Sequence, residues 1–71
     1  MKTTWRKIQC RAEVVYSPEY SMTAYDNGFW RAVYSRDGQA PLGLEGTAKK
    51  RTLAQAKKAA IKALKILKER K

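Results

Sequence analysis

Apolar and polar residues alternate over the first two thirds of the chain and then change to a helical spacing. From residue 6 to residue 16 the alternation has a period of two, with Ile8, Ala12 and Val14 among the even positions. Successive side chains of a strand point to opposite faces, so this period predicts one half-buried strand. We expect the even positions, including Cys10, to face the core and the odd positions to face away from it.

Turn residues divide the rest of this region into further strands. Pro18 marks one turn, because proline fixes its own φ and cannot donate to a strand ladder. Asp26, Asn27 and Gly28 tolerate the positive φ of a tight turn and therefore predict a hairpin. The segment between these turns, residues 20–25, fits either a strand or an ordered loop.

Two more β-prone segments follow the hairpin turn. Residues 29–35 are rich in aromatic and β-branched residues. Burying Arg31 would cost free energy, so we expect its face of the strand to be exposed. The alternate positions then point inward, and they are Trp30, Ala32 and Tyr34. The last strand is predicted over residues 41–47, with Leu42 and Leu44 inward.

The C-terminal segment has the spacing of an amphipathic helix. Thr52 and Gln55 stand three residues apart, as in a capping box, which predicts that the helix begins at Thr52. At 100° per residue, the apolar side chains form one stripe that can cover the inward face of a sheet. This stripe consists of Leu53, Ala56, Ala60, Ala63, Leu64 and Leu67.

These patterns predict an α+β fold in which a three- or four-stranded antiparallel β-meander packs against one C-terminal amphipathic α-helix. We expect one domain over residues 1–71, with strands over about 5–47 and the helix over about 52–69, because 71 residues supply only one small core. The apolar runs are far shorter than the ~20 residues of a membrane span, and no apolar stretch of a signal peptide follows Lys2. The sequence therefore predicts a cytoplasmic protein that does not act at a membrane.

Charge is strongly segregated along the chain, which carries 16 Lys and Arg against 6 Asp and Glu. Residues 1–46 hold six cations and five acids, a net charge of +1, whereas residues 47–71 hold ten cations and one acid, a net charge of +9. Such asymmetry predicts an anionic partner, with nucleic acid the first candidate and an anionic membrane surface the second. The membrane is the weaker of the two because the apolar stripe of the helix is needed to cover the sheet, and an acidic patch on a protein is a further candidate. The alternative is a self-repelling surface that only keeps the protein in solution.

The residue types of an enzyme site do not occur in a productive pattern. The chain has no histidine and a single cysteine, so it lacks the commonest general base and metal ligand and cannot form an internal disulfide. Its acids are not paired in sequence, and neither glycine-containing turn matches a nucleotide-cradling loop. We therefore expect no catalysis, no cofactor and no metal site.

The basic segment before the helix is the first candidate site. Lys49, Lys50 and Arg51 precede the predicted cap, where unsatisfied amide groups and the helix dipole already favour anions. Lys57 and Lys58 continue this surface one to two turns later and are expected to contact phosphates as well. Three further lysines fit a solvated helix face at least as well as a contact surface, and these are Lys62, Lys65 and Lys68.

The sheet face away from the helix is the second candidate surface. Lys7, Arg11 and Arg31 are expected to point outward there, where arginine could read base edges in a groove. Simple alternation would also place polar residues on that face, so a solvated surface is the alternative. Trp5 lies at the edge of the sheet, where it could stack, cap the core or belong to a frayed end.

The succession of "GFWRAVYS", "PLGLEG" and "TLAQAKKAAIKAL" resembles the N-terminal arm-type DNA-binding domains of phage and transposon integrases and the related plant AP2 domain. The resemblance covers about residues 20–67. It implies a three-stranded sheet on a C-terminal helix, with the open sheet face in the major groove of DNA and its readers at Arg11 and Arg31. No recombinase segment follows in this sequence, so the resemblance implies a stand-alone binding module of phage derivation.

The same residues also resemble the C-terminal half of a double-stranded RNA-binding domain. In that family, lysines at the start of the last helix hold phosphates across a groove. Here the first helix of the family has no counterpart, and the lysine cluster stands ahead of the cap, at Lys49 and Lys50. This resemblance implies that duplex RNA is an alternative to DNA.

The sequence thus predicts a nucleic-acid-binding protein with a preference for duplex DNA. Phosphate contacts would supply affinity, and the cations of the sheet would supply any sequence preference. The alternative is a small phage-type inhibitor that docks on a host protein or nucleoprotein. Its anchors would be the aromatic and apolar side chains of Trp5, Phe29 and Val33, because such residues carry much interface energy.

Overall fold

The computed structural model describes residues 4–9, 11–35 and 40–69. In this part of the chain, five strands form one antiparallel sheet in the order β1-β2-β3-β4-β5, followed by one helix. The elements are β1 (Arg6–Gln9), β2 (Ala12–Tyr16), β3 (Tyr20–Tyr25), β4 (Phe29–Tyr34), β5 (Leu42–Thr47) and α1 (Leu53–Glu69). The α+β class and the antiparallel meander are confirmed, and the open segment 20–25 is a strand.

The predicted first strand is wrong in one respect, because the structure divides it into β1 and β2. The two strands pair with each other, with Arg6 opposite Val14 and Lys7 opposite Glu13. The sequence carries no Gly, Pro, Asn or Asp at the turn between them, and the period of two continues through it. A short turn without these residues leaves no signal in the pattern, so the sequence predicts three or four strands where the described part of the chain has five. Cys10 lies outside the described residues.

The even positions Ala12 and Val14 are buried, as predicted, but the expectation that they face the helix is wrong. Val15 packs in the core with Met22 and Ala32, so the odd positions of β2 face the helix. Residues directly opposite each other in an antiparallel pair share a face, which places Glu13 and Lys7 on the helix side as well. The Val14–Val15 dipeptide offers one apolar side chain to each face, and alternation alone does not decide which of them the helix covers.

The helix packs mainly on β3 and β4 and less on β5. Its buried stripe includes Ala60, Ala63, Leu64 and Leu67, as the helical spacing predicted. Ala56 and Ala60 have no exposed surface, because small side chains let the helix backbone approach the sheet closely. The main hydrophobic cluster of this protein therefore lies between this helix and the sheet.

The inward side chains predicted for the last two strands are largely confirmed. Ala32 is fully buried, and Trp30, Tyr34 and Leu44 pack around the core. Leu42 shares their face by its register opposite Tyr34, yet 38% of its surface remains exposed because it lies at the end of an edge strand. The helix begins where the sequence predicted, since the Thr52 hydroxyl accepts a hydrogen bond from the Gln55 amide at 3.3 Å.

Candidate nucleic-acid interface

The segment between β5 and α1, residues 48–52, is a basic loop whose backbone is fixed at both ends. The Ala48 amide donates to the Gly28 carbonyl at 2.9 Å, and the Thr52 amide donates to the Lys50 carbonyl at 2.8 Å. The side chains of Lys49, Lys50 and Arg51 are exposed. The loop therefore presents three cations from an anchored backbone.

Gly28 of the β3–β4 turn holds this loop against the sheet. Its φ is +92°, in the left-handed region that favours glycine, and its amide donates to the Tyr25 carbonyl at 3.0 Å. A Cβ atom at this position would lie 2.8 Å from the Cα of Arg51. The absence of a side chain thus permits a backbone contact between the hairpin turn and the basic loop.

Exposed lysines continue from the loop along the solvent face of α1. Lys58, Lys62 and Lys65 are exposed at spacings of four and three residues, which places them on one side of the helix. With a rise of 1.5 Å per residue, the lysine row from Lys58 to Lys65 is about 10 Å long, and Lys65 lies about 20 Å along the helix from Thr52, where the basic loop ends. We call the combined surface the basic ridge, and it consists of Lys49, Lys50, Arg51, Lys58, Lys62 and Lys65.

Lys62 and Lys65 are residues whose role sequence reasoning left open. Their spacing relative to Lys58 was visible in the sequence, but lysine is also a common choice on any solvated helix face. Only the packing of α1 establishes that this side faces away from the sheet and that the row begins at the basic loop.

Lys57 has a different environment from its neighbour Lys58. Its Nζ lies 2.9 Å from Oε1 of Glu13, and the two side chains are only 28% and 20% exposed. The same ammonium lies 5.5 Å from the centre of the Trp5 ring, which packs against the core. Lys57 therefore joins the helix to β2, with its charge largely offset, and Trp5 is held within this contact.

The three predicted sheet cations do not come together. Lys7 lies on the helix side of the sheet, so its predicted orientation is wrong. Arg11 lies in the β1–β2 turn with an 82% exposed side chain, and its Nε is 3.9 Å from Oδ2 of Asp26. Arg31 is exposed on the open face, which is the sheet face away from α1, directly across from Glu45. Acidic neighbours therefore reduce the positive charge of this face.

Tyr25 and Phe29 form a feature of the open face that sequence reasoning missed. They flank the hairpin turn, and their ring centroids are 5.5 Å apart with an interplanar angle of 49°. Their positions on either side of the Asp-Asn-Gly turn were the available signal, since residues flanking a tight hairpin turn lie side by side.

Comparisons with protein-family models, curated proteins and solved structures give no match for this chain. Within residues 4–9, 11–35 and 40–69, no three Cys, Asp or Glu side chains lie close enough together to hold a metal ion. The helix of the described part is not long and apolar enough to cross a membrane.

Proposed function

We propose that this protein binds nucleic acid through the sugar-phosphate backbone and that duplex DNA is its preferred form. The basic ridge carries the proposal. Among the described residues, the ion pairs involve Arg11 and Lys57, and none of the six ridge cations takes part in them. Six exposed positive charges in one elongated surface favour a polyanion over a small anion, which would engage only one or two of them. In this proposal the protein acts in the cytoplasm, where it binds the nucleic acid of that compartment.

The rigid helical part of the ridge supports a duplex over a single strand. From the end of the basic loop to Lys65 the ridge follows about 20 Å of this helix, and a duplex of that length carries on the order of 12 phosphate charges. A duplex is stiff over far longer distances, so it holds this charge in line without an ordering cost. A flexible single strand has half the charge density and loses conformational freedom when it is straightened.

The open face has a secondary role in this proposal. Arg11 lies near the Asp26 carboxylate and Arg31 stands opposite Glu45 on the neighbouring strand, so we expect them to contribute less to affinity than the ridge does. Phosphate contacts carry no sequence information by themselves. Binding by the ridge is therefore expected to be strong at low salt and largely independent of the sequence of the duplex.

Fluorescence anisotropy with labelled duplex DNA at several salt concentrations tests the proposal, and single-stranded DNA and duplex RNA serve as comparisons. Five or six ridge contacts predict a slope of about −5 for the logarithm of the affinity against the logarithm of the salt concentration. Replacing Lys49, Lys50 and Arg51 by Ala together is expected to make this slope shallower by about 3.

Single substitutions provide a matched control within the same chain. Lys58→Ala removes one ridge charge and should change the slope by about 0.9, whereas Lys7→Ala removes a charge outside the ridge and should leave it unchanged. Equal effects of the two variants would refute the ridge as the binding surface. No binding to any nucleic acid at low salt would refute the proposed function and favour an acidic protein partner, detectable as a stoichiometric complex.

A further inference from the structure

The aromatic pair lies on the open face, which also carries the buried side chains of Ala12 and Val14. Tyr25 and Phe29 are half-buried, and neither belongs to the cluster that joins the sheet to α1. Tyr25 lies opposite Ala12, and Phe29 lies opposite Thr47, so both rings occupy the sheet face away from the helix. Each of the two adjacent rings is therefore partly open to solvent at the end of the sheet that carries the Asp26-Asn27-Gly28 turn, which we call the turn end.

Two arginine-bearing segments flank this pair. On one side, the Asp26 amide donates to the Arg11 carbonyl at 2.9 Å, which fixes the β1–β2 turn beside the hairpin turn. On the other side, Arg51 of the basic loop lies against Gly28. Aromatic surface bordered by cations is the combination that proteins use to bind unpaired bases, since the ring stacks on the base and the cation holds the adjacent phosphate.

We propose that Tyr25 and Phe29 form a stacking platform for an unpaired base of the nucleic acid whose backbone lies on the basic ridge. This inference rests on the proposed function and adds a preference to it. A base within a duplex is already stacked on its neighbours, so the platform has no base to take from an intact duplex. The preferred ligand is therefore a duplex that continues into a single-stranded segment.

The charge of the surroundings decides between a base and an apolar protein side chain as the occupant. The contact between Gly28 and Arg51 brings the basic loop to this end of the sheet, so a ligand on the platform lies at the same end of the molecule as three exposed cations. A nucleotide brings its own phosphate to these cations, whereas an apolar anchor leaves them without an anion. Charge complementarity thus favours the nucleotide.

The test compares one blunt duplex with the same duplex carrying a short single-stranded overhang, using anisotropy with the intact 71-residue chain. The wild-type protein is expected to bind the overhang substrate at least about fivefold more tightly, the lower end of the gain from stacking one base. Phe29→Leu and Tyr25→Leu should each reduce this preference while leaving the blunt-duplex affinity and its salt slope unchanged.

Two further variants separate stacking from other effects. Phe29→Tyr keeps an aromatic ring and should retain the preference, even where Phe29→Leu lowers stability. Tyr16→Leu removes a 74% exposed aromatic side chain at the other end of the open face and should have no effect. Circular dichroism of each variant shows whether it is folded at the temperature of the titration.

The outcomes distinguish this inference from the proposed function. Ridge-dependent binding of the blunt duplex with no gain from an overhang overturns the stacking platform and leaves the proposed function intact. An overhang preference that persists in both leucine variants also overturns the platform. Absence of binding to either substrate overturns both. A protein complex that Phe29→Leu abolishes, without any overhang preference in the wild type, assigns the pair to protein contact instead.

Discussion

Gly28→Ala is expected to destabilise the protein through the contact between the hairpin turn and the basic loop. The substitution adds one methyl group at a position where φ is +92°. The new Cβ would lie 2.8 Å from the Cα of Arg51, 3.3 Å from its Cβ and 3.4 Å from its Cγ. The nearest atom belongs to the backbone, so the clash is relieved only if the loop or the turn moves.

Two costs and one offset set the size of the effect. An L-residue in the left-handed region costs about 1–2 kcal/mol, and overpacking against backbone adds roughly 1–3 kcal/mol. Alanine also lowers the conformational entropy of the unfolded chain, which stabilises the folded state by about 0.4–1 kcal/mol and offsets part of these costs. The net loss in the free energy of unfolding is therefore roughly 1–5 kcal/mol. A chain of this size has about 4–10 kcal/mol in total, so the loss is a large fraction of it.

Urea denaturation followed by circular dichroism measures this loss, and Gly43→Ala is the matched control. A Cβ at Gly43 would lie 3.7 Å from the Ala32 carbonyl oxygen and 3.8 Å from Cγ2 of Val33, which are ordinary contacts. Its effect on the free energy of unfolding is expected to lie within about 1 kcal/mol of zero. Equal effects of the two substitutions would show that the close approach between Gly28 and Arg51 does not exist in solution.

Two further substitutions test the helix start and the pairing of Lys57. Thr52→Ala removes the hydroxyl that accepts from the Gln55 amide and should lower the free energy of unfolding by about 1 kcal/mol. Thr52→Ser keeps a hydroxyl and should lose much less. Equal losses for the two variants in urea denaturation would contradict the cap. Glu13→Gln removes the partner of Lys57, so we expect a loss of about 1 kcal/mol together with a duplex-binding salt slope steeper by up to about 0.9. An unchanged slope in the anisotropy titration would show that Lys57 does not join the ridge when it is released.

The proposed function and the stacking platform give the basic ridge and the aromatic pair different roles. The ridge begins at the turn end of the sheet and continues along α1, whereas the aromatic pair is confined to the turn end. Gly28 belongs to the contact that holds the two surfaces together. Substitution of Gly28 is therefore expected to weaken binding of the nucleic-acid backbone and to reduce the preference for an unpaired base.

Elements with local signals were predictable from the amino-acid sequence alone. The Asp26-Asn27-Gly28 turn was predictable because few residue types tolerate positive φ, and Gly28 has that conformation. The start of α1 was predictable because Thr52 and Gln55 have the spacing of a cap, and their hydrogen bond depends only on residues three apart. The segregation of charge into the last third of the chain is likewise a property of the sequence alone.

Tertiary structure decided what depends on residues distant in sequence. A period of two is the same for one long strand and for two strands joined by a short turn, so β1 and β2 became distinct only through their pairing. The same period divides residues between two faces of the sheet but does not show which face the helix covers. The packing of α1 on Val15 shows that the odd positions of β2 face the helix. Contacts between separate elements, such as Lys57 with Glu13, have no periodic signal because they depend on how the chain folds back on itself.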